Sequence, residues 1–307
     1  MREFRGKTAA ITGAASGIGW ALAQRAAREG MNVVLADIEE SALARAEKDI
    51  RAIGTATLAL RTDVSKAGDV AALASKALET FGAIHLLFNN AGVGAGLTVW
   101  ESSLADWQWV LGVNLWGVIH GIHFFVPVMI RQNCDCHIVN TASSAGLMTT
   151  TRHGPYVVSK HGVVALSETL YKQLEQRGYR IGVSVLCPAF TRTNIMESER
   201  NRPEDLQNRP GEGADMSDPG IQAFLREYKR LLDCGMPAEK VADVVFDAVR
   251  EKRFYILPEA DVLKPPIQAR MEDILEERNP RNVPLAMTGS LPTLGRSNTA
   301  GEIPGTD

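Results

Sequence analysis

Tyr156 and Lys160 stand four residues apart at the start of a helical stretch, which places both side chains on one helix face. A phenol with an ordinary pKa of about 10 is a poor proton acceptor near neutrality, and an adjacent ammonium lowers that value by stabilising the phenolate. The pair therefore offers general acid/base chemistry on an alcohol or carbonyl oxygen. The spacing alone is a weak signal, because one of five tyrosines can have a lysine four residues on by chance. Ser143, 13 residues before Tyr156, follows the apolar run His137 to Thr141. Its hydroxyl could donate to a substrate oxygen, or could simply serve a loop or a cap.

A second kind of chemistry lies near the N-terminus. The run Thr12-Gly13-Ala14-Ala15-Ser16-Gly17-Ile18-Gly19 follows one apolar segment and opens a helical one. Glycines there let the chain turn and let backbone amides approach a pyrophosphate. The spacing is GxxxGxG, and a plain tight connection is the alternative. Asp37 ends the next apolar run, 18 residues past Gly19, where a carboxylate can accept bonds from the adenosine ribose hydroxyls and repel a 2′-phosphate. Neither Ser16 nor Ile38 supplies a cation for such a phosphate, so the residues favour NAD over NADP. A strand-end turn is the other use of an aspartate at this position.

Such groups need a scaffold that brings them together. Apolar runs at Thr8 to Thr12, Asn32 to Asp37, Thr57 to Arg61, Ile84 to Asn89, His137 to Thr141 and Ile181 to Leu186 alternate with helical periodicity. Helices are expected near 106–132 and 156–176. Near-continuous apolar strands separated by helices predict an α/β fold: a single doubly wound Rossmann-type parallel sheet of about seven strands with helices on both faces. Any ligand site then falls at the carboxyl ends of the strands. From Asn194 to about Gly235 the pattern breaks into a polar stretch rich in proline and glycine, read as a lid-like insert over about 194–236, with a disordered surface insertion as the alternative. Helix returns over Ala238 to Glu251, a last strand over Phe254 to Leu257, and a terminal helix over Val262 to Glu277. One domain over 1–279 and a flexible tail over 280–307 complete the expectation.

The composition excludes several classes. With 45% hydrophobic residues and a net charge of -3, the 307-residue chain can fill a core and carries no basic stripe for nucleic acid. No leader is visible at the N-terminus, and the most apolar stretch, Val118 to Ile130, is interrupted by histidines and Pro127, so neither export nor a membrane span is expected and the location is read as cytoplasmic. Four cysteines are too few for a disulfide framework. Cys134, Cys136 and His137 invite a metal, but one close pair lacks the second pair such sites use, and ordinary thiols are the preferred reading, with no metal expected.

TGAASGIG, Asp37, Asp63-Val64, NNAG at 89–92, Asn114, Ser143 and YVVSK at 156–160 together resemble the short-chain dehydrogenase/reductase family over about residues 5–260. The resemblance implies a tetrad in which Tyr156 transfers the proton, Lys160 lowers its pKa and holds the nicotinamide ribose, Ser143 orients the reacting oxygen, and Asn114 holds a relay water through its backbone. It further implies that Gly13, Ser16, Gly17, Ile18 and Gly19 cradle the coenzyme phosphates. Asp63 and Val64 would meet adenine, Asn90, Ala91 and Gly92 the adenosine ribose, and Pro188 with Thr191 to Thr193 the carboxamide. The family commonly has Pro-Gly where this chain has Pro188-Ala189, so the extra methyl should narrow the nicotinamide pocket. Homodimers or homotetramers paired through the helices carrying Asn114 and Tyr156 are also implied.

Loops after the fourth, fifth and sixth strands contribute Gly94, Leu97, Leu147, Met148, His153, Phe190, Ile195 and Met196 as residues expected to border a substrate. Most are apolar, which suits a hydrophobic aromatic, steroid-like or terpenoid secondary alcohol and its ketone. His153 could bond a substrate group, although a capping or surface role is the preferred reading. The long insert and the FYILPEA segment near residue 254 are similar to a branch containing bacterial lignin-type aryl alcohol dehydrogenases. The competing readings are an NADP-linked carbonyl reductase, and a non-catalytic NAD-sensing or scaffold protein that kept the fold and lost the chemistry.

Overall fold

A computed structural model describes residues 1–283 apart from 95, 97 and 214, so Leu97 and the tail beyond residue 283 lie outside the described residues. Strands β1 (Thr8–Thr12), β2 (Asn32–Asp37), β3 (Thr57–Arg61), β4 (Leu86–Asn89), β5 (Cys136–Thr141), β6 (Ile181–Leu186) and β7 (Tyr255–Ile256) form one parallel sheet in the order β3-β2-β1-β4-β5-β6-β7. Every residue of β1, β4 and β5 is buried, as expected of strands covered on both faces. Helix α1 (Gly17–Arg28), with Leu22, Phe88 and Phe246 in one core, covers one face. Helices α2 (Glu40–Ala52) and α3 (Ala67–Phe81) follow β2 and β3, and Leu73, Leu87, Phe125 and Ile138 share the core on the opposite face from α1. Strand order reverses between β1 and β4, which opens a crevice at their carboxyl ends.

Some boundaries shift for identifiable reasons. Ile84 is not in the ladder, because its N–H and C=O are both taken by the Gln132 amide at 2.8 Å. Phe254 falls just before β7, its ring packed edge-on against Tyr171. The expected helix over 106–132 is three pieces: α4 (Leu104–Leu111), a π-helical turn at Gly112–Trp116, and α5 (Gly117–Gln132). Ser103 and Asp106 close a reciprocal capping box that starts α4. Pro127 and the histidines do not interrupt α5. The 29-residue run Leu104–Gln132 is thus long and apolar enough to span a bilayer by length and composition, contrary to the expectation above. Here it packs between α3 and α6 (Gly154–Gln176), with 44% of its most apolar window buried.

The polar stretch after β6 contains short 3-10 turns at Ile195–Asn201 and Glu204–Leu206 and an amphipathic helix α7 (Pro219–Asp233) capped by Asp218. Helices α8 (Ala238–Glu251) and α9 (Ala260–Leu275) complete the described chain.

His137 on β5 is fully buried, bonds Ser184 Oγ through Nε2 at 2.8 Å, and leaves Nδ1 without a partner. Burial pushes its pKa down from 6.5 to about 3. Between those values the unfolded chain binds a proton that the folded one refuses, so stability falls as pH drops below 6.5, by about 1.4 kcal/mol per unit from this group. Urea unfolding of His137→Gln between pH 4 and pH 7 should show a correspondingly flatter slope than the parent; parallel slopes would refute the assignment.

Candidate active site

The strand-to-helix turn after β1 requires its glycines sterically. A Cβ on Gly19 would sit 2.0 Å from the Gly13 carbonyl oxygen, and one on Gly13, whose φ is +64°, would meet Ala91 Cα at 2.9 Å. The turn therefore lies against the backbone after β4, and the start of α1 points its free amides into the crevice. Gly13, Ser16, Gly17 and Ile18 line a cleft of about 330 Å³ with Asp37, Asp63, Val64, Asn90, Ala91, Gly92, Tyr156, Lys160, Pro188, Thr191 and Thr193. Gly19 stands behind this surface, where it permits the close approach.

Each of these positions is fixed by bonds that sequence spacing does not show. Asp37 accepts from Ala15 N at 2.9 Å and Glu39 N at 3.1 Å, which aims its carboxylate at the mouth of the cleft. Asp63 accepts from Ser65 N and Oγ, ordering the loop after β3. Asn90 is tied across three strands: its N–H and amide donate to Thr12, and its Oδ1 accepts from Thr141. Across the mouth, Glu39 Oε1 takes Arg200 Nη2 at 2.7 Å and Asn201 Nδ2 at 2.8 Å, a tie from the end of β2 to the insert. Asn201, then Arg200, holds the Glu39 carboxyl below its ordinary value against the opposing effect of burial.

At the inner end, Tyr156, Lys160, Ser143 and Asn114 converge from α6, the end of β5 and the π turn. Lys160 Nζ donates to Thr141 O at 3.0 Å and lies 5.5 Å from the Tyr156 ring centroid. Burial pulls Lys160 down to about 8. Burial also pushes Tyr156 up, with the Ser143 hydroxyl opposing it. The cation expected to lower the Tyr156 pKa is thus itself weakened by the same enclosure. Ser143 starts a 3-10 turn and accepts from Ala145 N at 3.2 Å. Asn114 is fully buried; its side chain pairs with both Val93 N and Val93 O and donates to Ser159 Oγ at 3.1 Å. From within the π turn it locks the loop after β4 to α6.

A second cavity of about 460 Å³ adjoins the first, and Tyr156, Ile195 and Tyr228 line both. Gly94, His153 and Met196 also border it, as the sequence suggests. Leu147, Met148 and Phe190 do not. Leu147 packs inward against the Val118 and Val163 cluster, Met148 is buried beyond the 3-10 turn, and Phe190 is drawn under α7 against Leu231 and Leu232. The cavity is also less apolar than expected, since Asp106, Glu199, Arg202 and Asn208 form its far end. Cys134 and Cys136 place their sulfurs 3.8 Å apart while His137 turns away to Ser184. Among the described residues, no group of three or more potential ligands is assembled for a metal.

Residues 7–204 match the family model described as short chain dehydrogenase. The chain belongs to the short-chain dehydrogenase/reductase family. A dehydrogenase/reductase of CLA biosynthesis from Lactiplantibacillus plantarum is 34% identical over 285 residues, spanning 91% of this chain and 97% of the relative. A C alpha-dehydrogenase from a Sphingobium species is 32% identical, spanning 85% and 83%. A solved short-chain dehydrogenase/reductase from Burkholderia phymatum in complex with NAD is 49% identical, with a TM-score of 0.88 over 94% of this chain and all of that one. As a family member this short-chain dehydrogenase is an oxidoreductase.

Sequence reasoning gave no role to several residues that hold or line this short-chain dehydrogenase's site. Thr12 and Thr141 carry the strand ends onto Asn90, Ser159 receives Asn114, and Tyr228 joins the two cavities from α7. Only Tyr228 had a usable signal. Ile221, Phe224, Leu225, Tyr228, Leu231 and Leu232 follow helical spacing after an Asp218-Pro219 start, and the prolines and glycines around them masked it.

Proposed function

We propose that the protein is an NAD-dependent dehydrogenase that interconverts a hydrophobic secondary alcohol and its ketone, with Tyr156 as the acid/base. The carrying observation is that Tyr156 lines both cavities, so one phenol faces a dinucleotide-shaped cleft on one side and a substrate-sized space on the other. The cleft fits a dinucleotide on its own evidence: a Cβ at Gly13 or Gly19 would clash with the backbone that builds its cradle, and the buried Thr191 Oγ1 lacks a partner in its wall. The NAD seen in the Burkholderia relative agrees with this reading.

NAD held there supplies the hydride acceptor. The chain's own part is to order and deprotonate the alcohol. Ser143 orients the hydroxyl oxygen, Tyr156 takes its proton, and Lys160 stabilises the phenolate and would hold the coenzyme ribose. Asn114 fixes the geometry by joining the loop after β4 to α6. The relative named cyclohexanol dehydrogenase supports a cyclic alcohol. The insert acts as a lid, and copies pair through the face where Trp116 on the π turn and Val158 on α6 stay exposed, an assembly sedimentation would read directly.

Coenzyme choice rests on Asp37. Replacing it by serine removes the ribose acceptor and the charge that repels a 2′-phosphate, so the NAD-over-NADP preference in kcat/KM should fall about a hundredfold. Formation of reduced coenzyme from each dinucleotide with a panel of cyclic and aryl secondary alcohols tests both the activity and the preference. Equal use of NADP by the parent protein would favour the carbonyl reductase reading. Tight NADH binding with no turnover on any alcohol or ketone would favour a sensor.

A further inference from the structure

His153 immediately precedes α6 with a φ of +61°, in the left-handed region where a residue bearing a Cβ is held at some cost. Capping does not explain it, because its side chain makes no cap bond to the helix. The ring lies 5.5 Å from the Phe224 ring and 5.2 Å from Tyr228, forming one wall of the second cavity. The Gly96 backbone engages the ring, whereas Nε2 is buried and has no partner among the protein groups. An unpaired buried polar atom is costly unless something else satisfies it.

The protonation state follows from this environment. Burial pushes His153 below its usual value, so the ring is neutral near pH 7. A neutral ring that donates to a backbone carbonyl through one nitrogen presents the other as a lone pair. Nε2 is therefore an unpaired acceptor on a ring that borders the second cavity, one helical turn from Tyr156.

We propose that His153 determines specificity by accepting a hydrogen bond from a second hydroxyl of the substrate, so that the substrate class is a hydrophobic diol, or its hydroxyketone, and not a simple alcohol. The proposal rests on the dehydrogenase reading above. The second hydroxyl lies a few bonds from the carbinol, because residues three apart on a helix are on the order of 5–6 Å apart. An ether or carbonyl at that place cannot donate to Nε2 and leaves it unpaired.

The test compares 1-phenylpropan-1-ol with 1-phenylpropane-1,2-diol and 1-phenylpropane-1,3-diol as NAD-linked substrates. One diol should exceed the simple alcohol in kcat/KM by about ten- to hundredfold in the parent protein. In His153→Phe, which keeps a ring and removes the acceptor, that ratio should collapse toward one. His153→Asn, whose side chain tolerates the left-handed backbone but ends short of the ring position, should collapse it too, and NADH fluorescence titration confirms that each variant is folded. A parent ratio near one, or a ratio preserved in both folded variants, overturns the role of His153 while the dehydrogenase reading stands. Absence of turnover on every alcohol in the parent, with NADH bound, overturns the dehydrogenase reading and the proposal together.

Discussion

Tyr156→Phe should lower kcat for alcohol oxidation by about 10³-fold or more while leaving NADH affinity within a few-fold of the parent. The substitution removes one oxygen from a ring that lines both cavities and disturbs little else. Positioned proton transfer contributes typically 10²- to 10⁴-fold, and without it the alcohol must lose its proton to water in an enclosed site. Burial pushes the phenol up, with the Ser143 hydroxyl opposing it, and pulls Lys160 down to about 8. Oxidation needs the basic form; the parent rate should therefore fall as pH decreases, and the variant should lose that dependence. Stopped-flow traces with NAD and the best alcohol of the panel read both effects. A variant retaining more than a tenth of parental kcat would sink the acid/base assignment.

Arg202→Leu should unfasten the insert at a cost of about 3 kcal/mol. Arg202 and Asp106 are 3% and 5% exposed and pair at 2.8 Å, with Arg202 also donating to Leu206 O and Asn208 Oδ1 and lying over the Trp109 ring. Removing one member of a buried pair strands the other charge, which typically costs 3–5 kcal/mol. Asp106 keeps bonds from Ser103 N and Asn208 Nδ2, so the low end of that range applies. Because Asp106, Arg202 and Asn208 line the second cavity, kcat/KM for the alcohol should fall at least tenfold. Hydrogen exchange of amides 195–210 is the direct measurement: faster exchange in Arg202→Leu, largely restored in the double variant with Asp106→Leu, is the expected pattern. Unchanged protection in the single variant would mean that this pair does not hold the segment.

The parts of the molecule that could be read in advance share one physical property. β1, β2, β6 and α8 have the bounds their apolar spacing gives, because strands buried on both faces need uninterrupted apolar residues and α8 needs one regular stripe, and the half-buried edge strand β3 keeps its expected bounds as well. Gly13, Gly17, Asp37, Tyr156 and Lys160 line the one cleft, and their pairing could be suggested in advance because each stands in a short local pattern. The π turn was not, since one extra residue per turn leaves no periodic trace across Gly112 to Trp116, and Asn114 sits within it. The second cavity was readable only in part. Its wall is assembled from the loop after β4, the start of α6, the insert and α7, and spacing within any one of these says nothing of the others. Leu147, Met148 and Phe190 were apolar and near the right strand ends, but each found an interior partner first.

The tie from Glu39 to Arg200 and Asn201 has a consequence for kinetic order. It crosses the outer cleft, and the same segment carries Ile195 into the second cavity. If NAD occupies the cleft as proposed, it would be enclosed by residues that the alcohol meets next, and the expected order of arrival is NAD first, alcohol second. Departure would run in reverse, the ketone before NADH. Under that order reduced coenzyme should compete with NAD and not with the alcohol, and weakening the grip of one guanidinium and one amide on one carboxylate should speed its release.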